Sequence, residues 1–353
     1  MKSQWVVMDY KEGMLKKITS LTQIYYGDIE IASERFLNWQ YFENPTGNSI
    51  MKLAVKENEV IGQYIVIPIR FNVSGSVVIG SLSLNTLVHP QHHGKGIFKI
   101  LAKEVYKYCQ DKDVVFTYGF PNQNSFHGFT KSLGFRYLEV PLLIRLINPV
   151  KLLKSKLFNI KSEMYECTDN FNNNTFSDGI NIANVNRFGS EFDVFWELIC
   201  NNSPVMVIRN SEYLNWRYID IPYRRYHVLK AECDGRICGY IVLRETSVKN
   251  IRCGMIVDFI VEKTQVGEQV GDNLIRSALK HFKEANVSIS GALMMKHTLE
   301  FNILKRNGFI TCPKWFLPQP FPLILKLHQK HDKDNIIEDF NNWFVTMGDY
   351  DVI

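Results

Sequence analysis

Between positions 50 and 150 the chain alternates apolar runs with turn residues, and the period of the apolar positions changes along the way. Runs near 51–57 and 59–72 read as strands. The next, over 76–88, places Leu82, Leu84, Thr86 and Val88 on one face, the two-residue period of a strand. From about Gly94 to Cys109 the spacing becomes helical, with Ile97, Ile100, Leu101, Val105 and Tyr108 as the apolar stripe. A short strand over Val114–Tyr118, a second helix over Ser125–Leu133 and strand material over Arg136–Ile147 follow, and helical material is expected upstream from about Met8 to Phe42.

This order recurs. Leu37-Asn38-Trp39 returns as Leu214-Asn215-Trp216, and Pro45 as Pro222, each 177 positions later. Gly62 and Gly239 hold the same offset, Gly94 and Gly267 lie 173 apart, and Gly134-Phe135 and Gly308-Phe309 lie 174 apart. A period this long is a domain, not a solenoid unit. The second copy is expected to carry strands near 226–233, 237–246 and 251–261, a helix over 267–285, a strand over 287–295, a helix over 298–307 and strand material over 309–327. The expected organisation is a first domain over 1–147, a linker over 148–185, a second domain over 186–327 and a tail over 328–353. Within the linker, the polar run Asp169–Thr175 cannot pack a core and reads as a loop.

Composition narrows the functional classes. The chain has 353 residues, is 46% hydrophobic and 22% charged, and carries a net charge of only +5. That suits an anionic small ligand, and no dense Lys/Arg face of the kind nucleic-acid binders use is present. Seven scattered cysteines form no C-x-x-C pair, which fits free thiols in a reducing cytoplasm. The first 17 residues do not read as a secretory signal. The longest apolar stretch, Val60–Val73, is broken by Gln63, Pro68 and Arg70, and no run reaches the roughly 18 residues a membrane span needs. The basic, apolar run Leu142–Phe158 reads as a final strand and linker rather than as a membrane-surface segment.

The candidate chemistry lies where strand meets helix. A strand ends at Val88, Pro90 stops it, and Gln91-His92-His93-Gly94-Lys95-Gly96 leads into the helix. Successive backbone N–H groups there would face one concavity at the positive end of the helix dipole, a setting for phosphate or pyrophosphate. Gly94 and Gly96 would let the backbone approach a bulky anion. His89, His92 and His93 lack a fourth ligand nearby in sequence, so no metal is expected. Lys95 precedes Gly96 rather than Ser or Thr, which separates the loop from a triphosphate-binding P-loop.

This segment resembles the acetyl-CoA pyrophosphate loop of the GNAT superfamily of N-acetyltransferases, whose pattern Gln/Arg-x-x-Gly-x-Gly/Ala maps onto Gln91, Gly94 and Gly96. The preceding Leu87-Val88-His89-Pro90, the later Pro121-Asn122-Gln123-Asn124-Ser125 and the ending Leu133-Gly134-Phe135 resemble that family as well. The resemblance spans about residues 50–140 and extends more weakly to the second copy. It implies two tandem α/β (α+β) domains, each with a mostly antiparallel mixed sheet flanked by helices. It also implies an acyl-CoA co-substrate, acetyl-CoA in the first instance, held by Leu87, Val88, Gln91, His92, His93, Gly94, Lys95, Gly96, Ile97, Asn122 and Ser125. The reaction implied is transfer of the acyl group to an amine of a small acceptor, such as an amino sugar or an amino-acid-like compound. The family's frequent general acid, a tyrosine, falls at Thr130. Tyr118 and His127 are the candidates that remain for proton transfer, and a non-catalytic CoA-binding module is the alternative.

In the second copy Gln269 stands opposite Gly96 and Glu268 opposite Lys95, placing a bulky amide and a negative charge where pyrophosphate would sit. That copy is expected not to bind CoA. The C-terminal Trp343–Ile353 is aromatic and acidic and is expected to dock on the body, with packing as the simplest role and Asp349, Asp351 or the terminal carboxylate as candidates for the acceptor site.

Overall fold

Two tight hairpins start the first sheet. Glu57 and Asn58 (φ 50° and 69°) turn Ile50–Lys56 (β2) into Glu59–Val73 (β3), and Ser74 and Gly75 (φ 46° and 84°) turn β3 into Ser76–Val88 (β4). Paired positive φ values match the right-handed twist of the flanking strands. The computed structural model describes residues 5–152, 174–175, 179–248 and 250–350. Two units are formed, Met1–Glu139 with Asp220–Arg224 and Pro322–Phe340, and Val140–Ile219 with Arg225–Phe321 and Asn341–Ile353.

In the first unit the strand order is β1 (Val6–Asp9), β2, β3, β4, β5 (Phe116–Gly119), β16 (Pro322–Leu327) and β6 (Arg136–Glu139). β4 and β5 run parallel. The helices are α1 (Leu15–Tyr26), α2 (Glu34–Phe42), α3 (Ile97–Asp111) and α4 (Gln123–His127), the last continuing as a π-turn over Gly128–Ser132. The upstream segment is not helical from Met8: Val6–Asp9 pairs with Lys52–Val55 as an edge strand. The stripe of α3 is also shifted. Tyr106 and Cys109 are buried with Ile97, Leu101 and Val105, while Ile100 and Tyr108 are exposed. Tyr64, Phe129, Phe135 and Ile324 complete that core.

In the second unit the order is β15 (Ile310–Thr311), β7 (Leu142–Leu146), β14 (Ile289–Leu293), β13 (Ile251–Val261), β12 (Arg236–Val248), β11 (His227–Cys233), β9 (Asn181–Asn184) and β8 (Asn174–Thr175). Among the described residues only β13 and β14 are parallel in this sheet. The helices are α5 (Ser190–Ile199), α6 (Ser211–Tyr218), α7 (Gln265–Glu284) and α8 (Leu299–Arg306), and Val205–Val207 (β10) bridges to Trp343. Asn174 and Thr175, expected in a loop, pair instead with Asn181 and Ile182. The rest of that polar run lies outside the described residues.

The repeat is visible in matching positions. A Cβ on Gly62 would meet Ile97 Cγ2 at 2.7 Å, and one on Gly239 would meet Val270 Cγ1 at 2.9 Å. In each copy the glycine lets the helix after the fourth strand lie close on the sheet. The last strand of each copy joins the other copy's sheet. β7 pairs with β14 and β15, and β16 pairs with β5 and β6. Each brings a cation to the end of the helix before the Gly-Phe pair it joins. Arg145 Nη1 donates to Asn307 O, and Lys326 Nζ donates to Leu133 O at 2.8 Å. Such cations complement the carbonyl end of a helix. Among the described residues no helix is long and apolar enough to cross a membrane.

Candidate acyl-CoA site

The alternation of β4 breaks near its end. Gln63 pairs with Leu87 but Ile65 pairs with Leu84, so the register slips by one residue and Asn85 takes φ 46°. Thr86 therefore does not continue the face of Leu82 and Leu84, as strict alternation would require. Polar side chains hold the bulge. Asn85 Nδ2 donates to Gln40 Oε1 at 2.9 Å and to Tyr41 OH at 2.8 Å, and Gln63 Nε2 donates to Asn85 O at 2.9 Å. The Thr86 hydroxyl and Gln63 Oε1 are buried with no hydrogen-bond partner among the described residues. Orphaned polar atoms in a native fold call for an explanation, and a bound ligand is one.

The two parallel strands separate at the same level. Pairing of β4 with β5 ends at Ser83 and Gly119, while β4 runs five residues further to Val88. The loop 89–96 follows directly. Pro90–His92 form one 3₁₀ turn, with Gln91 N donating to His89 Nδ1 at 3.3 Å. Gly94 and Gly96 both have φ 75°, and a Cβ at either would meet no atom within 4 Å. Their glycine character thus answers to backbone conformation rather than crowding within the protein. Gly96 is the N-cap of α3 and supplies no side-chain cap. By helix geometry the first N–H groups of α3 have no intrahelical acceptor and sit at the positive end of its dipole.

One lysine and two histidines lie at this end. Lys95 Nζ donates to Gln91 O at 3.1 Å and lies 3.3 Å from His92 Nδ1. Burial and the neighbouring charges of Lys95, His89 and Lys56 push the His92 imidazolium pKa down. His93 Nε2 lies 2.7 Å from Val88 O and 2.7 Å from the Tyr25 hydroxyl, which also donates to Val88 O. Sequence reasoning missed Tyr25 and the bulge residues Asn85, Gln40, Tyr41 and Gln63. Tyr25 is 63 residues from its partner carbonyl and belongs to no motif.

Of the remaining residues named from sequence, Tyr118 lies within the paired part of β5, opposite Leu82, and Asn122, Ser125, His127 and Thr130 follow the end of that pairing. Asn122 caps α4, accepting from Asn124 N and Ser125 N at 3.0 Å each, and Ser125 Oγ donates back to Asn122 O. His127 is exposed at the end of α4. Tyr118 is 2% exposed and packs edge-on against Phe71 with ring centroids 5.3 Å apart. Thr130 Oγ1 donates to Phe126 O at 2.9 Å, within its own turn.

The equivalent place in the second unit is filled by the chain itself. Pairing of β13 with β14 ends at Ile256 and Ala292, and beyond it Met294 bridges to Thr346, whose hydroxyl donates to Asp258 Oδ1 at 3.0 Å. Asp349 lies there too, 3% exposed and 2.8 Å from Arg209 Nη2, so its carboxylate is committed to an internal ion pair. Asp351 and the terminal carboxylate lie outside the described residues. The connection from β13 to α7 is also shorter than its counterpart. Thr264 caps α7 by accepting from Gly267 N at 3.0 Å, and Glu268 is engaged by Arg306 at 2.6 Å.

A cavity of about 160 Å³ beside this region is lined by residues that include Lys263, Thr298, Glu300 and Phe344. Glu300 is 3% exposed, and burial raises its carboxyl pKa from 4.5 to about 7. Between those values the folded protein keeps a proton that the unfolded chain has lost, so this residue makes stability fall as pH rises. We expect Glu300→Gln to remove a loss on the order of 3 kcal/mol between pH 4.5 and 8, read by urea unfolding at both pH values. Equal slopes in the two proteins would contradict this.

Residues 10–138 match a family model described as an acetyltransferase (GNAT) domain. This segment is a GNAT acetyltransferase domain. The match supports acyl-CoA-dependent acyltransferase activity at the level of that family. Solved structures share the architecture along nearly the whole chain. A GCN5-related N-acetyltransferase from Anabaena variabilis aligns with TM-score 0.61 at 9% identity, over 92% of this chain and 73% of that one. Saccharomyces cerevisiae N-myristoyltransferase with bound myristoyl-CoA aligns with TM-score 0.58 at 14% identity, over 94% and 84%. A tandem GNAT protein from the clavulanic acid biosynthesis pathway aligns with TM-score 0.57 at 10% identity, over 93% and 100%. At such identities the likeness is one of fold, and it bears out two tandem GNAT-like domains with mixed sheets. No curated protein sequence matches the chain.

Proposed function

We propose that the first unit binds an acyl-CoA, with acetyl-CoA as the simplest form, and transfers the acyl group to an amine of a small acceptor. The observation that carries this reading is the sequence of three features along one segment: a bulged strand that leaves its neighbour, two glycines at φ 75°, and a helix that begins without a side-chain cap. In this reading the diphosphate lies on backbone N–H groups from Gly94 to Ile97, with Gln91, His92, His93 and Lys95 around it. The pantetheine arm runs along Leu87 and Val88 toward Asn122 and Ser125.

Transfer needs the thioester carbonyl polarised, the amine deprotonated and the departing sulfur protonated. Backbone N–H groups near Leu87 and Val88 are the donors for the carbonyl oxygen, and such donors act strongly where water is excluded. The amine nitrogen attacks the carbonyl carbon, the C–S bond breaks, and the thiolate takes up a proton. His127 is exposed, whereas Tyr118 is enclosed in the core. His127 is therefore the better placed of the two to serve the sulfur.

Titration calorimetry with CoA tests the binding half of this proposal. One site per chain is expected, because residues 343–349 occupy the corresponding divergence in the second unit. Two sites, or none, would overturn it. A non-catalytic CoA-binding role is the second reading, favoured by Thr130, whose hydroxyl is spent on Phe126 O. Release of free thiol from acetyl-CoA across a panel of amines separates the two readings.

A further inference from the structure

We propose that His227, Glu245 and His281 form a binding site for a divalent ion of the zinc type in the second unit. They come from three elements. His227 opens β11, Glu245 lies on β12 and His281 is in the last turn of α7. The register brings the first two together: His227 pairs with Leu243, and Glu245 is two residues along the same face. The third comes from the helix packed on that face. Gly254 is paired with Glu245, and a Cβ on Gly254 would meet the Phe282 ring at 2.4 Å. The absence of a side chain at 254 thus lets the end of α7 settle against the sheet, and His281 is the residue before Phe282.

The donor atoms converge. Glu245 Oε2 lies 3.7 Å from His227 Nε2, Glu245 Oε1 is hydrogen-bonded to His281 Nε2, and one ligand atom from each residue falls within 4.8 Å of the others. The imidazole centroids are 4.7 Å apart. His281 is 6% exposed, and the other two side chains are at 13%.

Two imidazoles and one carboxylate are a donor set that zinc accepts, with bonds of about 2.0–2.2 Å and tetrahedral ligand separations of about 3.4 Å. The His227–Glu245 separation is close to that edge. The Glu245–His281 contact is shorter, and it opens as the carboxylate turns from the imidazole to a shared ion. The fourth position goes to water on the partly exposed side. One anionic and two neutral ligands leave a bound dication with a single net positive charge. The site is separate from the histidines of the 89–93 loop. Its role is to tie β11, β12 and α7 together, and it does not depend on the acyl-CoA reading.

Full-length, tag-free protein stripped with a chelator and dialysed against Zn²⁺ provides the test. Elemental analysis is expected to find about one ion per chain, and Zn²⁺ is expected to raise the melting temperature, as any ligand selective for the folded state does. Co²⁺ in its place is expected to give the visible bands of a four-coordinate ion. His227→Ala and Glu245→Gln, checked by near-ultraviolet circular dichroism, are each expected to weaken Zn²⁺ binding at least tenfold. His227 stands at a strand end, and the packing of α7 on Gly254 through Phe282 does not involve it. Wild-type protein that binds no Zn²⁺, or folded variants that bind it as well as wild type, would overturn the proposal.

Discussion

Gly96→Glu is expected to lower the affinity for CoA by at least about thirtyfold while leaving the protein folded, roughly 2 kcal/mol of binding free energy. Two effects add. At φ 75° any side chain strains the backbone, a left-handed conformation that costs a non-glycine residue about 1–2 kcal/mol. The loop then relaxes toward negative φ and turns the N–H groups at the start of α3 away from a common point. The glutamate also brings a negative charge to the place where a diphosphate is proposed to lie, where like charges repel strongly. Gly96→Ala isolates the first effect and should fall between the two. Calorimetry on the three proteins decides the matter. Unchanged affinity in Gly96→Glu would remove the diphosphate cradle, and the proposed site with it.

Arg209→Met is expected to destabilise the protein by about 3–5 kcal/mol, the range seen when a buried charge pair loses one member. The Arg209 side chain is 1% exposed. Its Nε is 3.0 Å from Asp258 Oδ2 and its Nη2 is 2.8 Å from Asp349 Oδ2. Tyr218 and Tyr240 add hydroxyl donors to Asp258 at 3.1 and 3.0 Å. These carboxylates hold Arg209 firmly cationic despite burial. Without the guanidinium, two carboxylates face each other inside the unit, and residues 343–349 lose one of the contacts that anchor them, the others including Arg217 with Gly348 O. Urea unfolding measures the effect. Adding Asp349→Asn to Arg209→Met should recover part of it, because one of the two uncompensated charges is then gone. If the single variant loses less than about 1 kcal/mol, the ion pair is not what secures this segment.

Much of the architecture was legible because the repeat and the periods are physical. Gly62 and Gly239 recur because a helix lies on each, and the apolar runs of β2–β4 and β11–β13 recur because each builds one sheet. The destination of the last strands was not legible. Pro141-Leu142-Leu143-Ile144-Arg145-Leu146 and Pro322-Leu323-Ile324-Leu325-Lys326-Leu327 are nearly the same string. Either fits either sheet by hydrophobicity, and only tertiary packing decides. The 91–97 loop announced itself through glycine spacing and proline. The bulge at Asn85 did not, since a positive φ at an asparagine leaves no mark in an alternating strand. Edge strand β1 was hidden for a related reason: four residues before a helix are too few to show a period. The C-terminal residues read correctly as a docking segment. Where they dock depends on contacts far away in the chain, Arg209 with Asp349, Arg217 with Gly348 O and Tyr350 O, and Thr346 with Asp258, which nothing in the linear order ties together.

The reciprocal placement of β7 and β16 has a consequence for biosynthesis. When Glu139 leaves the ribosome, β5 and β6 exist but the strand that joins them lies some 180 residues downstream. At about 5–20 residues per second, the nascent chain waits roughly 10–35 s with that gap open. A polypeptide halted after position 147 therefore carries an incomplete sheet and a strand with no home, and gene fragments cut at the apparent boundary should yield aggregates rather than half-enzymes.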